Sequence, residues 1–159
     1  MSLCMFPASC RHYSAALPNE PARAMQVSPA FHQILYVSQL APGRKYDTFT
    51  AICRVSRGRN PALSASGVLL FDGLRFCQWL QGPAESVRTL MRSIADDPRH
   101  ENLAVLVDAP IAPAEIQRGW AAGYCDPHEL DVFAAANGVR GDAAIAALRE
   151  IVSRADLLP

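Results

Sequence analysis

Short runs in which apolar and polar residues alternate recur along the chain from residue 31 onward, a period typical of β-strands. They predict five strands: Gln33–Leu40, Ser66–Phe71, Leu74–Leu80, Asn102–Asp108 and Gln117–Tyr124. Asp72-Gly73 separates the second run from the third, and an Asp-Gly pair in that position is typical of a tight hairpin.

Four other stretches carry apolar residues at three- and four-residue spacing and are predicted to be helices. They are Tyr46–Arg57, Ala84–Ala95, His128–Ala136 and Asp142–Arg154. We expect Gly58 to end the first helix and Pro61 to prevent its continuation, while Asn137-Gly138 separates the last two. Residues 1–30 show no lasting period and are interrupted by prolines, so we expect a poorly structured leader.

The order strand, helix, hairpin, helix, strand, strand predicts an α+β fold. We expect a ferredoxin-like sandwich in which a five-stranded mixed sheet carries two helices on one face. Two C-terminal helices, within residues 126–159, are expected to cover the other face and to contact neighbouring molecules if part of their apolar stripe stays exposed. Because such a fold serves many functions, the function has to be argued from a site.

Composition and charge narrow the class of protein. Fifteen basic and fifteen acidic residues cancel, which argues against a surface that coats nucleic acid. No apolar run is long enough for a membrane-spanning helix, and the first residues do not resemble a secretory signal. Five cysteines without a CxxC pair favour neither a disulfide framework nor a zinc site, so we expect reduced thiols in the cytoplasm.

Motifs for common enzyme classes are missing from the sequence. No GxGxxG follows a predicted strand, and neither a GxxxxGK[ST] loop nor a GxSxG elbow occurs. No nucleophile or acid/base pair stands out either. The sequence therefore predicts a protein that is not an enzyme and holds no metal.

Three uncharged polar residues lie on or beside apolar elements. Tyr36 is in the middle of a predicted strand, Gln78 lies inside FCQWL, and Asn60 follows the first predicted helix. A buried amide without a partner costs about 1–3 kcal/mol, so these groups need hydrogen-bond partners. Each also has a structural interpretation: a tyrosine suits a strand, a glutamine can bond a backbone edge, and Asn before Pro suits a turn. An aromatic ligand with alternating carbonyl and ring-nitrogen acceptors would satisfy all three.

Five sequence segments, in order and at matching separations, resemble the BLUF family of flavin-binding photoreceptor domains. They are LYVSQ at 35–39, SRGRN at 56–60, SGVLLFDGLRFCQWLQG at 66–82, DDPRH at 96–100 and Trp120 within RGWAAGY. The resemblance covers about 31–125, which we expect to be the flavin-binding domain, followed by a helical extension at 126–159. It implies a blue-light photoreceptor with FAD, or FMN, held between the two helices.

The resemblance also implies roles for single residues. Tyr36 would give an electron and a proton to the excited flavin, and Gln78 would rearrange between that phenol and flavin N5 and O4, by rotation or tautomerisation. Asn60 would hold the O4 and N3 edge. Trp120 matches an aromatic residue that moves as its strand shifts. The other residues implied to bind the flavin are Ser56, Arg59, Arg99 and His100.

Three residues depart from the family's pattern: Gln81 stands where glutamate is common, Arg59 where a second asparagine is common, and Ala122 where a methionine is common. Arg59 could instead meet a ribose or a phosphate. Ala122 leaves open a module that binds flavin but signals poorly, and Arg59 and Gln81 leave open a flavin-free interaction module. A photoreceptor without an effector domain would signal by protein contact, as a homo-oligomer or with a downstream protein partner.

Overall fold

The computed structural model of the protein describes residues 30–45, 47–134 and 138–158. Within them the chain forms strands, helices and one 3-10 turn at Pro113–Glu115. The strands are β1 (Phe31–Leu40), β2 (Ser66–Phe71), β3 (Arg75–Pro83), β4 (His100–Pro110), β5 (Trp120–Tyr124) and β6 (Asp156–Leu157). The helices are α1 (Asp47–Ala62), α2 (Ala84–Ala95), α3 (Asp131–Ala134) and α4 (Asp142–Arg154).

The strands form one mixed sheet in the order β4-β1-β3-β2-β5-β6. β3 pairs antiparallel with both β1 and β2, which therefore run parallel to each other without touching. The parallel neighbours are β2 and β5. The predicted α+β class with a mixed sheet is confirmed, but the described residues contain six strands rather than five, because the two-residue strand β6 is too short to show a period in the sequence.

The prediction that α1 stops at Gly58 is wrong, because the helix continues through Gly58 and Pro61 to Ala62. A glycine inside a helix costs only about 1 kcal/mol, which packing against the sheet can outweigh. Pro61 lies exposed in the last turn, where the amide of Leu63 bonds the carbonyl oxygens of Arg59 and Asn60. Asn60 is consequently a helical residue facing the sheet, not a loop residue. Tyr46, the predicted first residue, lies outside the described residues.

Other element ends shift for local reasons. The predicted hairpin is present, but Leu74 belongs to its turn, where Asp72 Oδ1 accepts hydrogen bonds from the amides of Leu74 and Arg75. β5 begins at Trp120 instead of Gln117, whose amide bonds the side chain of Gln81. Successive turns around His128 delay α3 until Asp131, and the predicted end of that helix lies outside the described residues.

The two faces of the sheet are packed differently. Side chains that alternate along β3 point to opposite faces, so Gln78 faces α1 and α2 while Cys77 and Trp79 face α4. On the α4 face one continuous cluster joins the sheet to the last helix through Trp79, Leu148 and their neighbours. On the other face, separate clusters lie beneath α1 and beneath α2. The gap between those two clusters is where polar residues collect. None of the described helices is long and apolar enough to cross a membrane.

Candidate functional site

A cleft lies between α1 and α2, over the middle of β1 and β3. Its apolar walls come from the helices, because the buried stripes of α1 and α2 both turn toward the sheet. These apolar residues are Ile52, Val55, Leu90 and Ile94. Its polar lining includes seven of the residues implied by the family resemblance: Tyr36, Ser56, Arg59, Asn60, Gln78, Arg99 and His100.

The floor of the cleft is a hydrogen-bonded pair on neighbouring strands. Tyr36 and Gln78 are directly opposite each other in the β1–β3 register. The Tyr36 hydroxyl donates to Gln78 Oε1 at 2.6 Å, and both residues are buried. Burial is the main cause that raises the pKa of Tyr36 well above its ordinary value, with smaller contributions from Cys77 and Asp97. The phenol therefore keeps its proton at neutral pH, and the amide NH₂ of Gln78 is the end that remains for a ligand in the cleft.

Asn60 supplies an unused donor on the opposite wall. It is 2% exposed, and its side-chain Nδ2 is buried without a hydrogen-bond partner in the structure. An unpaired buried amide donor costs about 1–3 kcal/mol, so its presence at a cleft needs an explanation. An acceptor on a ligand would satisfy it. The residue is held in place because its backbone carbonyl oxygen accepts from the amides of Leu63 and Ala65 at the end of α1.

Charged and titratable groups close the far end of the cleft. Arg99 pairs with Asp97 through both carboxylate oxygens, with a shortest contact of 2.5 Å. Burial alone would raise the pKa of Asp97, but the hydrogen bonds and charge of Arg99 outweigh it and hold that pKa below its ordinary value. His100 Nδ1 lies 2.8 Å from Ser38 Oγ, and burial lowers the pKa of His100 despite the opposing charge of Asp97. The imidazole is thus neutral at pH 7.

A hydrogen bond spans the mouth of the cleft. Arg59 Nη1 on α1 donates to Ser93 Oγ on α2 at 2.8 Å. The enclosed volume is about 80 Å³, below the roughly 300–1,000 Å³ of sites that take drug-sized ligands. A planar three-ring ligand therefore needs more room than the cleft offers with the Arg59–Ser93 bond closed.

The donors and acceptors in the cleft suit a flavin. The edge of an isoalloxazine ring presents carbonyl oxygens and ring nitrogens, which need both donors and acceptors. Asn60 offers a buried donor without another partner, and Gln78 offers an amide that can donate and accept. The cations of Arg59 and Arg99 line the same cleft and suit a phosphate or a carbonyl oxygen.

Trp120 is the predicted photochemical residue that does not line this cleft. It is partly buried against the cluster beneath α1, and its indole Nε1 is buried without a partner. Gln81, one of the departures from the family pattern, is on the opposite face of the sheet, fully buried, and accepts from the amide of Gln117 at 2.9 Å. Its substitution for glutamate therefore does not alter the cleft lining.

Aromatic side chains form a continuous series of ring contacts on the cleft face of the sheet. The ring centroids of Phe76 and His100 are 4.6 Å apart, those of Phe71 and Phe76 are 4.7 Å apart, and those of Phe49 and Phe71 are 5.1 Å apart. Tyr124 is the last ring of this series, with its centroid 4.8 Å from that of Phe49. These rings pack the cluster beneath α1 against the hairpin and reach the edge of the cleft at His100.

Sequence reasoning missed several residues of the cleft. Ser93 was not singled out, although it lies next to Ile94 on the helix that was predicted correctly. Asp97 belongs to the DDPRH segment but received no role, and only its pairing with Arg99 reveals one. Ser38, which bonds the cleft residue His100 from outside the lining, was not singled out either. A hydrogen bond between side chains 62 residues apart, as in Ser38 and His100, leaves no local signal in the sequence.

The fold and this cleft define a class of protein: an α+β domain with a polar cleft between two helices and its sheet. A sequence model of the family described as "BLUF: Sensors of blue-light using FAD" matches residues 31–121. That match spans more than half of the chain, and the chain belongs to the BLUF family. Blue-light sensing with a flavin is the function class of this family.

Curated relatives match over part of their length. The chain is 33% identical over 81 residues, 51% of the chain, to the blue light- and temperature-regulated antirepressor BluF of Escherichia coli. It is 32% identical over 100 residues, 63% of the chain, to the photoactivated adenylate cyclase subunit beta of Euglena longa. The match spans only 20% and 12% of the lengths of these two relatives.

Solved structures share the fold. The dark-state structure of BlrB, a BLUF protein, superimposes with a TM-score of 0.63 at 24% identity, covering 79% of this chain and 97% of that one. Klebsiella pneumoniae BlrP1, solved with FMN and cyclic diGMP, gives a TM-score of 0.55 at 28% identity over 79% of this chain and 30% of its own. The ferredoxin-like interpretation of the fold is thereby confirmed.

Proposed function

We propose that this chain is a blue-light photoreceptor whose photochemical pair is Tyr36 and Gln78. The buried 2.6 Å hydrogen bond from the Tyr36 hydroxyl to Gln78 Oε1, at the floor of the cleft, carries this proposal. It links the residue able to lose an electron and a proton to an amide able to change which group it bonds. Among the described residues that line the cleft, no other tyrosine is hydrogen-bonded to a side-chain amide.

The cofactor assigned to the cleft is FAD, with FMN as the alternative. Asn60 and Gln78 would hold the ring edge, Arg99 and His100 the end of the cleft, and Ser56 and Arg59 the mouth. A bound flavin supplies a strong oxidant when it absorbs blue light. FAD is favoured by the family's description, while the FMN in the BlrP1 structure supports the alternative.

The chain's own residues would then act in sequence. Tyr36 loses an electron and its phenolic proton, which the raised pKa otherwise keeps in place. Gln78 stops accepting from the phenol and presents its amide in a new arrangement, by rotation or tautomerisation. When the phenol is restored, Gln78 remains rearranged and the sheet around it is repacked. The output is a change of packing and not a chemical product.

The rest of the predicted function also stands as a proposal. Residues 31–125 form the flavin-binding domain, 126–159 an extension, and the protein is not an enzyme. Signals leave by contact with a second copy or a downstream protein partner. We place the protein in the cytoplasm because its cysteines show no pairing pattern; Cys53, Cys77 and Cys125 are free thiols in the structure. Trp120 is assigned an indirect role, since it packs beside the site without lining it.

An absorption spectrum of the purified protein, recorded in the dark and immediately after blue illumination, tests this proposal. We expect a flavin band that shifts slightly to the red and returns in darkness. A flavin band that does not move would show a binding module without photochemistry. A protein that takes up no flavin, even after reconstitution with FAD, would show that the fold serves a flavin-free purpose.

A further inference from the structure

The segment after α4, residues 155–158, crosses from the α4 face of the sheet to the outer edge of β5. There Asp156 and Leu157 form β6, antiparallel to β5, with Leu157 opposite Gly123 and Asp156 opposite Tyr124. The amide of Leu158 then donates to the carbonyl oxygen of Ala122 at 2.8 Å. We call residues 155–158 the edge segment. It covers backbone groups of β5 that would otherwise form an open sheet edge.

β5 is shaped to receive this segment. A Cβ built on Gly123 would lie 2.5 Å from the carbonyl oxygen of Asp156 and 2.9 Å from both Cα and Cδ2 of Leu157. All three of its nearest contacts belong to the edge segment. Glycine is a poor strand residue, so its presence in the middle of β5 is explained by this close approach. Any side chain at position 123 would displace the segment.

The edge segment is also connected to the cleft by one row of residues across the sheet. Gln78 is opposite Leu69 in the β2–β3 register, and Leu69 is opposite Ala122 in the β2–β5 register. Both Leu69 and Ala122 are buried beneath α1, and Leu158 packs against that same cluster. Leu158 therefore touches the far end of a row that begins at the Tyr36–Gln78 pair.

The segment contains β6, the shortest strand of the sheet among the described residues. β6 has two residues, both exposed, and Leu157 is 42% exposed. Elements with few buried contacts open first when their support changes. Leu158 is different from its neighbour, because it is partly buried against the cluster beneath α1 while Leu157 faces solvent.

We propose that the edge segment is the element that reads the state of the cleft: it is docked on β5 in the dark and released when Gln78 rearranges. This inference rests on the proposed photochemistry. In the structure Leu158 packs against the cluster that contains Leu69 and Ala122, so we expect a repacked row no longer to match it. Release uncovers the edge of β5.

Amide exchange followed by NMR on the flavin-bound protein tests this inference at single residues. We expect the Leu158 amide to be protected in the dark and to exchange about tenfold faster under blue light, in the range of typical coupling between sites. Gln78→Leu under the same illumination controls for heating. It should leave the Leu158 amide protected, because the row is not rearranged.

Three variants sharpen the test. Gly123→Ala should give fast exchange at Leu158 in both light and dark while keeping the flavin and its red shift. Leu158→Ala should raise the dark exchange rate about tenfold, whereas the matched variant Leu157→Ala should change it less than twofold, because only Leu158 packs beneath α1. Equal effects of the two leucines, or a Gly123→Ala segment as protected as the native one, would overturn the inference.

The outcomes separate the two proposals. A normal red shift with identical Leu158 protection in light and dark would overturn the inference and leave the photoreceptor function intact. A protein without flavin or without a red shift would overturn both.

Discussion

The two faces of the sheet differ in the kind of side chains that they bury. On the α4 face the indole N–H of Trp79 bonds Gln33 Oε1 at 3.1 Å, its ring lies under the guanidinium of Arg149, and a continuous apolar cluster surrounds it. On the cleft face Gln78, one residue earlier, lies among a phenol, an imidazole and an unpaired amide donor. The α4 face is filled mainly by apolar side chains, although Gln81 Nε2 has no partner there, whereas we propose that a ligand completes the polar groups of the cleft face. Adjacent residues of one strand thus face an apolar core on one side of the sheet and a polar cleft on the other.

The largest effect should follow from changing the cleft face at its centre. Gln78→Leu removes the acceptor of the Tyr36 hydroxyl and Tyr36→Phe removes the donor, so we expect each variant to lose the light-induced red shift completely while retaining flavin. Difference spectra before and after blue illumination check this. A normal red shift in either variant would show that the pair is not the photochemical centre.

The next largest effect belongs to the opposite face. Trp79→Ala deletes a 1% exposed indole from the α4-face cluster and should lower the free energy of unfolding by about 3–5 kcal/mol. We expect the red shift to persist in the folded fraction, since Trp79 does not line the cleft. Chemical denaturation measures the first quantity and difference spectroscopy the second. Loss of the red shift in a folded Trp79→Ala protein would mean that the two faces are not separable.

Asn60 tests whether a ligand completes the cleft face. Asn60→Ala removes a buried donor that has no protein partner, so the flavin-free protein should be no less stable, while flavin affinity should fall about 5- to 150-fold from a loss of about 1–3 kcal/mol. Titration with FAD and thermal unfolding without FAD give the two numbers. Arg54→Ala, an exposed residue of the same helix that does not line the cleft, is the matched control and should change neither quantity. A large loss of stability in flavin-free Asn60→Ala would contradict the assignment.

The smallest effect concerns pH. Burial lowers the pKa of His100 below its ordinary value, so the folded protein binds fewer protons there than the unfolded chain. Stability should therefore fall as pH decreases from about 7 through the ordinary histidine pKa near 6.5. His100→Gln keeps a neutral side chain that can bond Ser38 and should flatten this decline. Melting temperatures of both proteins between pH 7.5 and roughly 5 measure the difference, and parallel curves would exclude His100 as the cause.

The sequence predicted those features that depend on local period or on a contiguous motif. The hairpin at Asp72-Gly73, the limits of α2 and the seven residues lining the cleft come from such signals. The end of α1 was mispredicted because packing against the sheet overrides the local effect of Gly58 and Pro61. The Arg59–Ser93 and Ser38–His100 bonds and the pairing of β6 with β5 join distant segments, so no local pattern announces them.

The series of aromatic rings beneath α1 offers a way to measure changes in packing. The phenylalanine and tyrosine rings, held 4.7–5.1 Å apart in fixed orientations, give a near-ultraviolet circular dichroism signal that weakens when their packing loosens. The series of rings runs from His100 at the cleft to Tyr124 on β5, the strand that pairs with the edge segment. Near-ultraviolet circular dichroism therefore reports on the packing between the cleft and the edge segment. The molecule therefore carries an intrinsic probe of its own repacking, readable without any attached label.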